Sequence, residues 1–244
     1  MHGDLSSPQP SWSRAVESPA SGGHESAKIA SSARTGRALI ERCNMRIFLA
    51  GVSCVGKTSI GAQLAGLLEC RFFDLDVEIE RFFGTSIERL RNRHLTSRDF
   101  RLTASQVLTF VLSRDDSYNS VIALPPSGLL GDYWKVIKGT RDAIIVVLRD
   151  TPENIFNRIT FYDIDSRPVQ KNLTDRERGL YVREIKRDIA YFSRSFSRAH
   201  VSVDITGCDP DVASRKVRDA LTPALLKNQS EASERGSARM YVPI

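Results

Sequence analysis

One stretch of this 244-residue chain reads Gly51-Val52-Ser53-Cys54-Val55-Gly56-Lys57-Thr58, followed by Ser59. It has the pattern G-x-x-x-x-G-K-T, which is typical of loops that bind nucleotide phosphates. The glycines allow a tight turn whose successive N–H groups point at a polyphosphate. In such a loop the lysine reaches the β- and γ-phosphates, and the threonine hydroxyl binds Mg²⁺. The candidate nucleotide-binding residues are therefore Gly51, Ser53, Cys54, Val55, Gly56, Lys57, Thr58 and Ser59.

The sequence on both sides of this loop supports the same interpretation. Residues 45–50 form a short apolar run that predicts a buried strand, and residues 59–68 carry apolar side chains at helical spacing. A strand, a glycine-rich loop and a helix in that order place a helix N-terminus against the phosphates, where its dipole favours negative charge. The alternative, a glycine-rich turn that precedes a helix by chance, explains less of this context.

Composition limits the class of protein. The apolar fraction of 41% supports a packed core. The net charge is +6 and the pI is near 9.3, and a site for ATP and an anionic substrate needs arginines, which accounts for such a surplus of basic residues. The sequence contains no run of five like charges, which argues against a nucleic-acid partner. It also contains no apolar stretch that approaches the ~20 residues of a membrane helix. The cysteines lack zinc-site spacing, which favours reduced thiols and a cytoplasmic location: Cys43, Cys54, Cys70 and Cys208.

The chain is expected to contain one folded domain, over residues 45–225, and to act as a monomer. The flanking segments 1–44 and 226–244 are rich in small and polar residues without sustained periodicity, which predicts disordered tails. Within the domain, predicted strands alternate with predicted helices, which favours an α/β/α fold of three layers around a parallel sheet. The predicted later strands are 71–76, 120–124, 143–148 and 201–205, and the predicted later helices are 77–83, 86–90, 97–112, 128–137, 151–159, 174–196 and one from 209 onward.

Ligands of open parallel sheets bind beyond the carboxyl ends of the strands. Asp74 and Asp76 follow the second predicted strand, and Ser127 and Gly128 follow the third. Asp74 is a candidate to hold Mg²⁺ through water, and Asp76 is a candidate to accept the proton of an attacking hydroxyl. The alternative is that Asp76 only caps the helix that begins at Val77.

A polar segment over residues 161–173 has the composition of a flexible loop and contains Arg167, with Arg158 just before it. A mobile loop that carries arginine suits a lid that closes on the γ-phosphate and excludes water. The alternative is a solvated loop whose arginines face water. Cys54 also has two interpretations, a thiol activated by the helix N-terminus or a small residue that fills the loop.

The pattern resembles the shikimate kinases, P-loop kinases related to the nucleoside monophosphate kinases. The matching segments are residues 51–61, 73–76 with 79–80, 84–87, 99–101, 166–168 and 186–187. The resemblance implies a central five-stranded parallel sheet with a lid, and transfer of a phosphoryl group from Mg·ATP to a shikimate hydroxyl to give shikimate 3-phosphate. It implies that shikimate contacts Asp76, Arg101, Ser127, Gly128 and Arg187, and that Lys57, Arg158 and Arg167 serve the phosphates. Lys57, Asp76 and Arg167 are the implied catalytic residues.

This sequence departs from the family pattern on the acceptor side. Pro125-Pro126-Ser127 stands where the family has three glycines, and two prolines remove two backbone N–H donors. Ala104 stands where the family usually has a glutamate. These departures keep two alternatives open: a kinase for another small hydroxy acid or polyol, and a ligand-binding domain without turnover. Retention of Lys57, Thr58 and both aspartates favours chemistry over binding alone.

Overall fold

The computed structural model describes residues 45–223 of the chain. The predicted tails, 1–44 and 226–244, lie outside the described residues, as do residues 224 and 225 at the end of the predicted domain. The predicted disorder of the tails therefore stays a prediction.

A five-stranded sheet forms the centre of the fold. All its neighbouring strands pair in parallel, and its strand order is β2-β3-β1-β4-β7. The strands are β1 (Arg46–Ala50), β2 (Arg71–Asp74), β3 (Ser120–Ala123), β4 (Ala143–Arg149) and β7 (Val201–Asp204). The predicted parallel α/β sheet is confirmed. Because β1 lies in the middle, the glycine-rich loop that follows it opens at the centre of the carboxyl edge.

Helices connect these strands. They are α1 (Lys57–Leu67), α2 (Leu75–Phe83), α3 (Ile87–Asn92), α4 (Ser97–Ser113), α5 (Gly131–Gly139), α6 (Pro152–Asn157) and α7 (Asp175–Phe196), followed by α8 over residues 210–223. Three predicted starts are confirmed by side-chain caps, from Ser86, Thr151 and Thr174. The predicted stop at Gly84 is also confirmed, because this residue takes the left-handed conformation that ends α2.

The core explains why the strands read as continuous apolar runs in the sequence. Every residue of β1 and β3 is buried, and so are the central residues of β4. Strands covered on both faces need apolar side chains at successive positions rather than at alternate ones. Within residues 45–223, no helix combines the length and the apolar character that a membrane crossing requires.

Two predicted elements differ from the structure near the site. The second strand ends at Asp74 rather than Asp76, because the Asp74 side chain accepts a hydrogen bond from the Asp76 N–H and starts α2 at Leu75. The polar segment 161–173 is not a loop throughout. It contains a short antiparallel pair, β5 (Phe161–Tyr162) and β6 (Pro168–Val169).

Candidate active site

The glycine-rich loop has a backbone that only glycine permits at two positions. Gly51 and Gly56 have φ angles of 146° and 108°, which L-residues with side chains rarely adopt. A Cβ on Gly51 would lie 2.8 Å from Val55 Cγ1 and 3.0 Å from the Leu148 carbonyl oxygen. The loop is therefore packed tightly between β1 and β4, with its backbone turned as a phosphate cradle requires.

Lys57 folds back over this loop. Its Nζ donates hydrogen bonds to the carbonyl oxygens of Gly51, at 3.0 Å, and Val52, at 2.8 Å. Desolvation lowers the pKa of Lys57 to about 8, although Asp76 and Asp74 act in the opposite direction. An ammonium that has lost water in this way gains from a new anionic partner, and a polyphosphate in the cradle is such a partner.

Thr58 and Asp74 lie together at the carboxyl edge of the sheet. The Thr58 hydroxyl donates to Asp74 Oδ2 at 2.6 Å, and Asp74 Oδ1 accepts the Asp76 N–H at 3.0 Å. A hydroxyl beside a carboxylate is the oxygen donor set that suits Mg²⁺, which keeps several waters and uses substrate phosphates as its other ligands. The residues present therefore fit a magnesium ion.

Asp76 differs from Asp74 in what its carboxylate does. The alternative that Asp76 only caps a helix is wrong, because Asp74 is the residue that caps α2. Desolvation and the neighbouring Asp74 raise the pKa of Asp76 to about 6, while Lys57 and Arg91 act to lower it. A carboxylate with a pKa near 6 is ionised at neutral pH and is a better proton acceptor than an ordinary aspartate.

Arg101, on α4, lies in a polar region with two residues that sequence analysis missed, Arg91 on α3 and Tyr133 on α5. A Cβ on Gly131 would lie 4.0 Å from Arg101 Nε, which places the start of α5 beside this arginine. Tyr133, in the first turn of α5, is fully buried, and the charges of Asp76, Arg91 and Arg101 all act on its hydroxyl. Four helices, α2, α3, α4 and α5, therefore contribute charged or polar groups to one region.

Arg158 lies near the glycine-rich loop. It pairs with Asp150, whose side chain is only 1% exposed, and its charge acts on Cys54 inside the loop. Desolvation lowers the pKa of Arg158. The buried Asp150 carboxylate thus anchors a guanidinium beside the cradle, where the resemblance implied a phosphate ligand.

Arg167 lies in the turn between β5 and β6, and its side chain is exposed. The turn is closed internally, because Asp163 Oδ1 accepts the Arg167 N–H at 2.9 Å. It also rests on α2 and α3. Ser166 Oγ donates to Glu80 Oε1 at 2.6 Å, Arg89 Nε pairs with Asp165 Oδ1 at 2.7 Å, and the Ser86 hydroxyl donates to the Ile164 carbonyl.

Arg187 is placed differently from Arg101. Its side chain is 75% exposed, and it pairs with Glu184 one turn earlier on α7. An exposed pair of this kind contributes little and leaves the guanidinium in water. Its role in acceptor binding remains a prediction that the geometry does not support.

Ser127 and Gly128 lie in a turn that bonds two of its N–H groups internally. The Gly128 N–H donates to the Pro125 carbonyl at 2.8 Å, and the Leu130 N–H donates to the Ser127 carbonyl at 2.9 Å. A Cβ on Gly128 would lie 2.6 Å from Leu124 Cβ, so glycine is required there for packing. With the two prolines, this wall has few free N–H groups to offer an acceptor.

Cys54 has a φ angle of 59° in the same loop. Desolvation raises the pKa of its thiol, and this outweighs the opposing effects of Lys57 and Arg158. A thiol is activated by a lowered pKa, so the structure favours the interpretation of Cys54 as a small loop residue.

Comparisons with known proteins agree with this geometry. A family model described as shikimate kinase matches residues 53–206. The bifunctional shikimate kinase/3-dehydroquinate synthase of Thermotoga maritima is 28% identical over 160 residues, which cover 65% of this chain but only 29% of that longer protein. The shikimate kinase of Aquifex aeolicus is 27% identical over 137 residues, which cover 56% of this chain and 77% of that protein.

Solved structures show the same fold. The shikimate kinase from Acinetobacter baumannii in complex with shikimate superposes with a TM-score of 0.57 at 24% identity, covering 79% of this chain and 98% of that one. At this identity the likeness establishes the architecture, and the family model establishes the relationship because it matches more than half of the sequence. The chain therefore belongs to the shikimate kinase family.

Proposed function

We propose that this protein is an ATP-dependent kinase that transfers the γ-phosphoryl group to a hydroxyl of shikimate. The observation that carries the proposal is the arrangement at the carboxyl edge of the sheet. There Thr58 and Asp74 form an oxygen site, while Asp76 does not cap the helix and its carboxylate lies near the charge of Lys57. This arrangement provides a place for the phosphates, a place for a cation and a separate base. The family match supports the acceptor.

Each side chain has a distinct task in this reaction. Asp76 accepts the proton of the attacking hydroxyl, and Lys57 stabilises the charge that develops on the transferred group. Thr58 and Asp74 hold Mg²⁺, which neutralises charge on the phosphates when it is bound. Arg158, anchored by Asp150, adds a second cation at the cradle. Arg167 lies on the hairpin that would cover the site and exclude water.

A second candidate is a kinase for another small hydroxy acid. The wall formed by Pro125, Pro126 and Ser127 favours it, because the two prolines have no N–H group and the N–H groups of Gly128 and Leu130 are bonded within the turn. A different acceptor shape is then needed where a glycine-rich backbone would have donated hydrogen bonds.

An assay of ADP release with shikimate, quinate and gluconate tests the proposal. We expect shikimate to have the highest kcat/KM of the three. Release that depends on gluconate or quinate but not on shikimate would favour the second candidate. Binding of ATP and shikimate without any acceptor-dependent release would contradict both kinase proposals.

The location of the protein is a separate proposal. Cys54, Cys70 and Cys208 are free cysteines in the described part of the chain. Unpaired cysteines are typical of reducing compartments, which supports a cytoplasmic location. Labelling of native cells with a membrane-impermeant thiol reagent should leave these residues unmodified.

Replacing Arg101 with lysine is expected to raise KM for shikimate strongly and to leave KM for ATP nearly unchanged. Lysine keeps the charge but loses the planar fork that binds a carboxylate through two hydrogen bonds. Loss of such a partner is typically worth about 2–5 kcal/mol. Steady-state kinetics with each substrate varied in turn would measure both constants.

Arg187→Lys is the matched comparison for that experiment. Because Arg187 is exposed and pairs with Glu184, we expect its lysine variant to behave like the unmodified enzyme. If Arg187→Lys raised KM for shikimate and Arg101→Lys did not, the resemblance would be right about Arg187 and this geometry would not describe the bound state.

A further inference from the structure

Tyr133 carries a buried hydroxyl with no protein partner. Its side chain is 0% exposed, and its hydroxyl makes no hydrogen bond. Within residues 45–223, Arg158 Nε is the other buried side-chain atom without a partner. A buried polar group that makes no hydrogen bond destabilises a fold, and in a native protein it calls for an explanation, of which a role at a functional site is one.

The surroundings of this hydroxyl are charged rather than apolar alone. Burial and the Asp76 carboxylate raise the pKa of Tyr133, while Arg91 and Arg101 act to lower it. The hydroxyl therefore keeps its proton at all ordinary pH values and is available as a donor. The short distance of 4.0 Å between Arg101 Nε and the position of a Gly131 Cβ places the same arginine at the start of α5 independently.

Arg91 is the half-exposed arginine near Tyr133. Its guanidinium lies over the Phe100 ring, 5.3 Å from the centroid, and pairs with Glu88 at 3.2 Å. Its side chain is about half-exposed, and an exposed pair on one helix is weak. Arg91 can therefore leave Glu88 and turn towards an anion that enters beside Asp76.

The donors and acceptors in this region divide into two sets. Tyr133, Arg91 and Arg101 offer O–H and N–H donors, which is the set that binds a carboxylate. Asp76 offers an acceptor, which suits a hydroxyl. Among phosphoryl acceptors, a molecule that carries both a carboxylate and a hydroxyl group satisfies both sets at once.

We propose that the Tyr133 hydroxyl donates a hydrogen bond to the carboxylate of the phosphoryl acceptor, alongside the guanidinium groups of Arg91 and Arg101. This inference rests on the proposed kinase function, because it assigns the residues that orient the acceptor of that reaction. The carboxylate held by these donors directs the opposite side of the acceptor, with its hydroxyl, towards Asp76.

The test is Tyr133→Phe, measured with shikimate and with shikimate methyl ester, which lacks the charge. Initial rates give KM for each acceptor and for ATP, and calorimetry with a non-hydrolysable ATP analogue gives Kd for shikimate without turnover. The matched control is Tyr118→Phe, because Tyr118 is an exposed tyrosine that packs its ring under Arg46.

Tyr133→Phe is expected to raise both KM and Kd for shikimate about 10- to 100-fold, as for loss of a hydrogen bond to a charged group. KM for ATP should not change, and the ester should bind the variant and the unmodified enzyme almost equally. Thermal unfolding should occur at the same or a higher temperature, because the variant lacks the unpaired hydroxyl. Tyr118→Phe should change none of these values.

Other results would overturn the inference. If Kd for shikimate stays within twofold, or if acid and ester lose affinity equally, the hydroxyl does not bind the carboxylate even though the kinase proposal stands. If the unmodified enzyme binds shikimate but releases no ADP, the kinase proposal fails, and the ratio of Kd values still decides the role of Tyr133. If shikimate does not bind at all, both are wrong.

Discussion

Lys57→Ala is expected to lower kcat by about 10²–10³, the usual effect of removing one preorganised contact to a developing charge. The ammonium already lies over the cradle, 3.0 Å and 2.8 Å from two loop carbonyls. Little movement is needed for it to reach a phosphate in the loop. The shortened side chain leaves the glycine backbone intact, so the variant should still bind ATP, but with lower affinity.

Coupled measurement of ADP release over a range of ATP and shikimate concentrations checks this result. Lys138→Ala, a change of the same kind at an exposed position on α5, is the control and should leave kcat unchanged. Full turnover in Lys57→Ala would mean that Lys57 does not stabilise the transferred group, and its proposed catalytic role would be wrong even though the kinase activity stands.

The same variant has a signature in stability. The pKa of Lys57 is lowered from 10.5 to about 8 in the folded protein, so between these values the unfolded chain binds more protons. The free energy of unfolding therefore rises with pH across this window because of Lys57. Lys57→Ala should remove that rise, which denaturant titrations between pH 7.5 and 10.5 in the absence of ATP would show.

Asp76→Asn should reduce kcat by roughly 10²–10⁴ if Asp76 is the general base. A loose transition state needs less help from a base, so we expect a value near the lower limit. Because the pKa of Asp76 is about 6 in the enzyme without substrates, kcat/KM of the unmodified enzyme should fall below pH 6 as the carboxylate gains a proton. The variant should lack this acidic limb. Asp175→Asn, at the exposed start of α7, is the control.

Asp76→Asn should also stabilise the protein without ligands. Because the folded-state pKa is raised from 3.8 to about 6, the folded protein binds more protons than the unfolded chain between these values. The contribution of Asp76 to stability is therefore present at low pH and is lost as the pH rises through about 6. At pH 7.5 the variant should melt at a higher temperature, by a gain on the order of 1–3 kcal/mol. The gain should shrink as the pH falls through 6 and disappear below 3.8, the pKa in the unfolded chain.

Lost activity together with gained stability in one variant distinguishes a catalytic residue from one that supports the fold. A residue that only supports the fold would lose both when it is replaced. If Asp76→Asn melted at a lower temperature at pH 7.5 and kept its acidic limb, Asp76 would be a structural residue and another group would have to be the base.

Most of the fold could be predicted because its signals are local. Gly51 and Gly56 take backbone conformations that the spacing of the motif already requires, and the buried strands are marked by unbroken apolar runs. Helix starts at Ser86, Thr151 and Thr174 depend on side chains that bond within three residues. Such patterns need no knowledge of tertiary contacts.

The acceptor side could not be predicted in the same way. Arg91, Arg101 and Tyr133 lie on different helices, and only their packing brings the charges together. Arg187 illustrates the converse, since α7 carries arginines on several faces and helical periodicity does not say which one is covered. Asp74 and Asp76 were recognised, but the choice of which one caps α2 depends on the backbone geometry at the strand end.

The hairpin of β5 and β6 has a consequence for how often the site is open. Its turn is held on α2 and α3 by Ser166 to Glu80, Ser86 to the Ile164 carbonyl, and Arg89 to Asp165. One neutral hydrogen bond, one hydrogen bond to the Glu80 carboxylate and one exposed ion pair together contribute about 2–5 kcal/mol. An equilibrium of that size leaves at most a few per cent of molecules with the hairpin released at any moment. In the proposed kinase, with this hairpin as the lid, such openings would let substrates enter and products leave, and closure would screen the reacting groups from water.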